Sequence, residues 1–225
     1  MEITWFGQGC IRLRGREGSI AADAYPSIVG PTGRGLVADI ATYSHADPAP
    51  YATRNGIGRR HHDERAVPTS LEKSFRLDGP GEYEIHDVLV TGVRTARDES
   101  KGAERGRNVA FVYQLDGLHV VHLGDLGHPL NEEQLGEIGA VDVACVPIGG
   151  HLTAARAAEV VAQLDPGLVV PLPVRESEEE NQSALDRFLH EMGVKELTPQ
   201  AKLSVTISSI PEETTVVLLE QRGRQ

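Results

Sequence analysis

Residues 118–128 read Leu-His-Val-Val-His-Leu-Gly-Asp-Leu-Gly-His. The apolar, β-branched run Leu118–Leu123 predicts a strand, and Gly124-Asp125 ends it. In α/β proteins, polar residues at the carboxyl ends of buried strands are where ligands are placed. A Gly-Asp strand end flanked by His122 and His128 is hard to explain by packing alone. Carboxylates and imidazoles are also the ligands that a borderline metal such as zinc prefers.

Working outward toward the C-terminus, the rhythm alternates between strand and helix. Asn131 with Gln134 three residues later predicts a capped helix to about Ile138. Val141–Ile148 is a near-continuous apolar strand that runs into Gly149-Gly150-His151. Thr153 caps a second helix, whose Ala157, Val160, Val161 and Leu164 share one face. Leu168–Leu172 is another buried strand, followed by Pro173. Leu185, Phe188, Leu189 and Met192 form a helical stripe that Gly193 closes. Strands over Lys202–Ile207 and Thr215–Leu219 end the chain. The acidic run Glu176, Glu178, Glu179 and Glu180 is expected in an exposed loop.

Toward the N-terminus the pattern is mostly strands: Val109–Leu115, Ile85–Val93, Ala38–Ser44, Ser19–Asp23, Ile11–Arg14 and Glu2–Phe6. The early ones are separated by glycines, as in a meander. Two of them also end on polar groups, Asp23 and the stretch Ser44-His45-Ala46-Asp47-Pro48-Ala49-Pro50. Gly30–Gly35 is glycine-rich, but it lacks the Gly-Lys-Ser/Thr ending of a phosphate loop and reads as a surface loop. Strands packed with outer helices predict a layered α/β sandwich.

The chain has 225 residues with a formal net charge of −11, which argues against a general nucleic-acid partner. No apolar run approaches the roughly 18 residues that span a bilayer, so no membrane partner is expected. The chain opens directly on Glu2-Ile3-Thr4-Trp5-Phe6 without a basic-then-apolar leader, and Cys10 and Cys145 lie far apart. Both points favour a cytoplasmic protein with reduced thiols. The local basic stretch from Arg54 to Arg65 is read as a solvated loop.

The set of motifs resembles the metallo-β-lactamase superfamily, in its small cytoplasmic branch of ascorbate-phosphate lactonase-like and bacterial metal-dependent hydrolases. The resemblance rests on Ile3-Thr4-Trp5-Phe6-Gly7 with Cys10-Ile11-Arg12-Leu13, on Asp23, and on Asp78-Gly79-Pro80-Gly81-Glu82-Tyr83-Glu84. It continues through Gly106-Arg107-Asn108, His122 to His128, Pro147-Ile148-Gly149-Gly150 and Pro211-Glu212-Glu213-Thr214. It implies a four-layer αβ/βα sandwich over residues 1–225, with two similar halves of roughly 1–115 and 116–225 and metals in the cleft between the sheet edges.

The resemblance also shows where this chain departs from the family. The ligand motif His-x-His-x-Asp-His falls on His45, Asp47, Ala49 and Pro50. Arg97 stands at the position of a histidine before Gly-x-Asn, Pro173 at the last histidine, and Gln8 at the histidine after the first glycine. Asp125, the usual bridging carboxylate, remains. The expected cleft residues are therefore Asp23, His45, Asp47, Arg97, Asp125, His128 and His151, with His45, Asp47 and Asp125 as metal ligands if a metal is held.

The expected cofactor is none or one divalent ion, zinc or manganese. Three functions follow: a non-catalytic or strongly altered relative with an eroded di-metal site, a single-metal hydrolase of an ester, lactone or phosphodiester, or a small-ligand or protein-binding module in the vacated cleft. Arg97 is expected to pair with Asp125, Asp47 or both, because acids that have lost their metals call for a compensating cation.

Overall fold

The computed structural model describes residues 1–46, 67–195 and 197–222. Asp47, Ala49, Pro50 and the basic stretch 54–65 lie outside the described residues.

In chain order the strands are β1 (Glu2–Gly7), β2 (Cys10–Arg14), β3 (Ser19–Ala22), β4 (Ile40–Thr42), β5 (Phe75–Leu77), β6 (Gly81–Ile85) and β7 (Val88–Ala96). They continue with β8 (Arg107–Leu115), β9 (Leu118–His122), β10 (Val143–Ile148), β11 (Leu168–Pro173), β12 (Leu203–Ser204) and β13 (Thr215–Val216). The helices are α1 (Pro26–Val29), α2 (Glu132–Ile138), α3 (Ala154–Leu164) and α4 (Glu178–Glu191). Among the described residues these strands form a six-stranded sheet ordered β12-β1-β2-β3-β4-β5 and a seven-stranded sheet ordered β13-β11-β10-β9-β8-β7-β6. Both sheets run antiparallel through their early hairpins and parallel beyond, changing at β3–β4 in one and at β9–β10 in the other.

The period-2 alternation of the strands explains the layers. Ile3, Ile11, Leu13 and Ile20 point inward from one sheet, meeting Phe111, Tyr113, Val120 and Val170 from the other. Ala21 and Ala41 face the opposite way, onto Tyr25, Val29, Leu36 and Leu71 in and around α1. Val121, Ala144 and Val146 on the outer face of the second sheet pack under Val160, Val161 and Phe188 of α3 and α4. The two sheets thus enclose one core and each buries its outer face as well, which is the expected four-layer α/β sandwich. No helix among the described residues is long and apolar enough to cross a membrane.

Local chemistry sets the element ends. Asn131 and Gln134 make the reciprocal capping box that opens α2, and the Thr153 hydroxyl accepts from Arg156 N at the start of α3. Two expectations change. The acidic run is not a loop: Ser177 caps α4, and Glu178, Glu179 and Glu180 form its first turn, where carboxylates complement the helix dipole. The single strand expected over Ile85–Val93 is broken at His86-Asp87, whose φ of 51° and 66° make a tight two-residue turn between β6 and β7. Strands β6 to β8 pair with the later strands, and β12 returns to the first sheet.

Cys10 and Cys145 are fully buried free thiols. Burial pushes Cys145 up to about 12, and burial together with nearby Asp23 pushes Cys10 well above its ordinary value. Only the thiolate reacts. Neither cysteine should therefore react with Ellman's reagent at pH 8 in the folded protein, and both should react in guanidinium chloride. Rapid reaction without denaturant would contradict this burial.

Candidate functional site

The cleft lies at the carboxyl ends of β3, β4, β9, β10 and β11, around a cavity of about 320 Å³. Its floor is built on Asp23, which follows β3 with a left-handed φ of 48° and a buried carboxylate. Oδ1 accepts from Ser44 N (2.7 Å) and Tyr25 OH (3.2 Å), and Oδ2 accepts from the Ser44 hydroxyl (2.6 Å). The single Tyr25 hydroxyl proton is directed to His45 O at 2.6 Å, which leaves the 3.2 Å approach to Asp23 Oδ1 as the weaker branch of a shared proton, and the Tyr25 ring packs on the His45 imidazole at 5.1 Å between centroids. Asp23 therefore supports the loop after β4 from below.

This network fixes the His45 tautomer. The Ser44 hydroxyl proton is committed to Asp23, so the 2.7 Å contact between Ser44 Oγ and His45 Nδ1 requires Nδ1–H to donate. Nε2 then carries the lone pair. Burial holds the His45 imidazole below its ordinary value, against the pull of Asp23 and Asp125. His45 is thus a neutral base or ligand.

The other wall is built on the Gly124-Asp125 turn after β9. Gly124 has a φ of +64°, and a Cβ there would meet the Ser44 side chain and, at 2.5 Å, Asn108 Oδ1. Only glycine lets the turn lie this close. Buried Asn108 clamps it: Oδ1 accepts from Asp125 N (2.9 Å), while Nδ2 donates to Thr95 Oγ1 (2.7 Å) and Leu123 O (2.9 Å). Gly127 seats the backbone of Arg97, whose carbonyl group would block any Cβ at that position.

Arg97 reaches Asp125. Its Nε donates to Asp125 Oδ2 at 2.7 Å, its Nη2 lies 2.7 Å from the same oxygen, and its Nη1 donates to Arg105 O at 3.1 Å. The two side chains are 19% and 14% exposed, so this pair is largely withdrawn from water. His151 completes the group. Its Nδ1 accepts from Arg105 Nη1 at 2.8 Å, and its Nε2 lies 3.3 Å from Asp125 Oδ2 and 3.5 Å from Arg97 Nη2. Burial lowers the His151 value; Asp125 opposes this, and Arg97, Arg105 and Arg175 reinforce it.

Two histidines serve the scaffold instead. His122 donates from Nε2 to Gly9 O (2.8 Å) and accepts from Gly124 N at Nδ1 (3.2 Å), so it is neutral. Its 4.0 Å approach to Asp23 is accordingly not an ion pair. His128, expected in the cleft, does not line the cavity. It donates from Nδ1 to Pro129 O (2.6 Å) and accepts from Ala96 N at Nε2 (3.1 Å), which uses both nitrogens on backbone.

The cavity thus brings together Asp23, His45, Arg97, Asp125 and His151. Sequence reasoning missed Tyr25, Ser44, Arg105 and Arg175. Arg175 follows Pro173 by two residues at a strand end already singled out, so its position carried a signal. Ser44 and Tyr25 gain their roles only through tertiary contact with Asp23. Among the described residues no three His, Cys, Asp or Glu side chains are grouped to hold a metal ion.

Neutral His45 and His151 give a pH expectation. Their folded values lie below the ordinary 6.5. As pH falls through 6.5, the unfolded chain takes up protons that the folded imidazoles refuse, so stability declines toward the folded values. Urea unfolding at pH 7.5 and 5.5 should show lower stability at 5.5, with part of the difference removed in a His45→Asn, His151→Asn variant. An unchanged difference in that variant would assign the effect elsewhere.

Residues 2–173 match the β-lactamase superfamily domain. The chain is 27% identical to a metal-dependent hydrolase of Methanospirillum hungatei over 77% of its own length and 82% of that protein. It is 26% identical to one of Thermoplasma acidophilum, over 76% and 82%. Among solved structures it is similar to a candidate zinc-dependent hydrolase of the metallo-β-lactamase superfamily from Thermotoga maritima. That similarity has a TM-score of 0.69 and 28% identity, covering 97% of this chain and 98% of that one. An isothiocyanate hydrolase from Delia radicum gut bacteria shares the fold at 14% identity and a TM-score of 0.61, over 92% of this chain and 100% of that one.

Proposed function

The chain belongs to the β-lactamase superfamily, whose relatives here are named metal-dependent hydrolases, and from that premise we propose that it is an altered member whose cleft holds an arginine–aspartate pair in place of a di-metal centre and serves to bind a small molecule. The observation that carries this reading is the double contact of Arg97 on Asp125 Oδ2. Asp125 aligns with the carboxylate that bridges two metals in the resemblance, and a permanent guanidinium occupies the oxygen that a metal would use.

The remaining donors support the same reading. Both oxygens of Asp23 are engaged by Ser44 and Tyr25. Ala49, Pro50 and Pro173, at positions matching second-site ligands, offer no side-chain lone pair. The residues present do not fit a two-metal centre, which needs at least three side-chain donors per ion.

A second reading is a single zinc or manganese ion held by His45, Asp125 and Asp47, the last lying outside the described residues. It is favoured by one observation, the lone pair that the Ser44 contact leaves on His45 Nε2. Turnover separates the two. Supplied with Zn²⁺ or Mn²⁺, the unmodified protein should not hydrolyse p-nitrophenyl acetate, bis-p-nitrophenyl phosphate or an acyl lactone above background. Robust metal-dependent turnover would overturn the first reading in favour of the second.

A further inference from the structure

On the reading that Arg97 replaces the metals, we infer that the cleft is an oxyanion receptor: Arg105 and Arg175 at its mouth grip the carboxylate or phosphate of a small molecule above the Arg97–Asp125 pair. The charges of the lining point this way. The chain is acidic, at −11, yet among the described residues the cavity is lined by three arginines against two carboxylates. Asp23 is already satisfied by hydroxyl and amide donors, and Asp125 is paired with Arg97. The arginines around these acids suit the cleft to an anion. A positive cleft in an acidic protein focuses its field on an incoming anion.

The two mouth arginines are also pre-placed. Arg105 N donates to Asp98 Oδ2 at 2.6 Å, and the same carboxylate accepts from Gly102 N and Glu104 N, which fixes the loop after β7. Arg105 is exposed and places Nη1 on His151 Nδ1 at 2.8 Å. Asn181 of α4 bonds both Arg175 N and Arg175 O at 2.9 Å, fixing that backbone at the cavity edge. A planar guanidinium matches the paired oxygens of carboxylate or phosphate, and fixing its backbone in advance lowers the ordering cost of binding.

Arg175 is shared by two adjoining hollows, which add Arg34 on one side and Arg187 on the other, together with Glu176 and Glu191. A cavity of about 320 Å³ lies at the low end for small-molecule sites, so it suits a metabolite rather than a polymer.

The test is calorimetric titration of the full chain with sodium phosphate and with sodium malonate, against sodium chloride at matched ionic strength, on protein of measured metal content. The expected result is saturable 1:1 binding of at least one oxyanion beyond the chloride response. The Arg105→Ala, Arg175→Ala variant should lose roughly tenfold or more in affinity while its ligand-free melting midpoint stays unchanged, because both side chains are exposed. The phosphate and malonate arms distinguish the two sources of the anion. A response no greater than chloride in metal-free protein, or equal binding by the variant, overturns the inference alone. One equivalent of tightly held metal overturns instead the reading on which it rests.

Discussion

Asp23→Ala lowers unfolding free energy by about 3 kcal/mol. The substitution removes a buried acceptor that serves Ser44 N, the Ser44 hydroxyl and the Tyr25 hydroxyl at 2.7, 2.6 and 3.2 Å. Ser44 N and Ser44 Oγ are buried, and a stranded buried donor costs about 1–3 kcal/mol. Removing a buried charge returns part of that cost, and the Tyr25 hydroxyl keeps His45 O as its acceptor, which is why the expected value lies below the sum for three donors. The exposed carboxylate Asp39 makes comparable contacts to Ser19, and its replacement by alanine should cost less than about 1 kcal/mol, because water satisfies what is left. Urea denaturation of both variants makes the comparison. Equal small losses would mean that Asp23 does not support the His45 loop.

Arg97→Ala is the second large effect, at about 2 kcal/mol. Breaking a fully buried ion pair costs about 3–5 kcal/mol because the remaining charge is left uncompensated. The 19% and 14% exposure of this pair lets some water reach Asp125 and reduces the cost. Arg97→Lys should recover only part of it, since one ammonium cannot reproduce the two guanidinium donors on Oδ2. Arg97→His should instead raise zinc affinity, by removing the permanent cation and adding an imidazole beside Asp125 and His45. A loss below about 0.5 kcal/mol in Arg97→Ala would reduce the pair to a surface contact.

The fold was largely legible because its signals are local. The helix caps at Asn131 and Thr153, the apolar run of β10 and the alternation of β1 and β2 need no distant partner to be read. The turn at His86-Asp87 was not, because it lacks the glycine that usually marks a tight hairpin, and an apolar run continues past it. The acidic start of α4 was misread because a run of glutamates fits an exposed loop as well as a first helical turn. In the site, Asp23, His45 and Asp125 were legible as polar residues ending strands. Arg97 was legible as a cation among acids whose metals were in doubt. His128 was not separable from a cleft residue, because its sequence neighbourhood looks the same whether the ring turns inward or caps backbone at Ala96. Ser44, Tyr25 and Arg105 depend on contacts 20 to 46 residues away in the chain, which no local pattern records.

On the proposed reading a guanidinium stands on Asp125 at a position where the family resemblance implies metal. The most direct test of that reading is elemental analysis of protein purified without chelators and again after incubation with excess Zn²⁺ and Mn²⁺ followed by desalting. Far less than one equivalent of either metal is expected in both samples, with about one equivalent of zinc retained only by Arg97→His. One or more equivalents retained by the unmodified protein would contradict it.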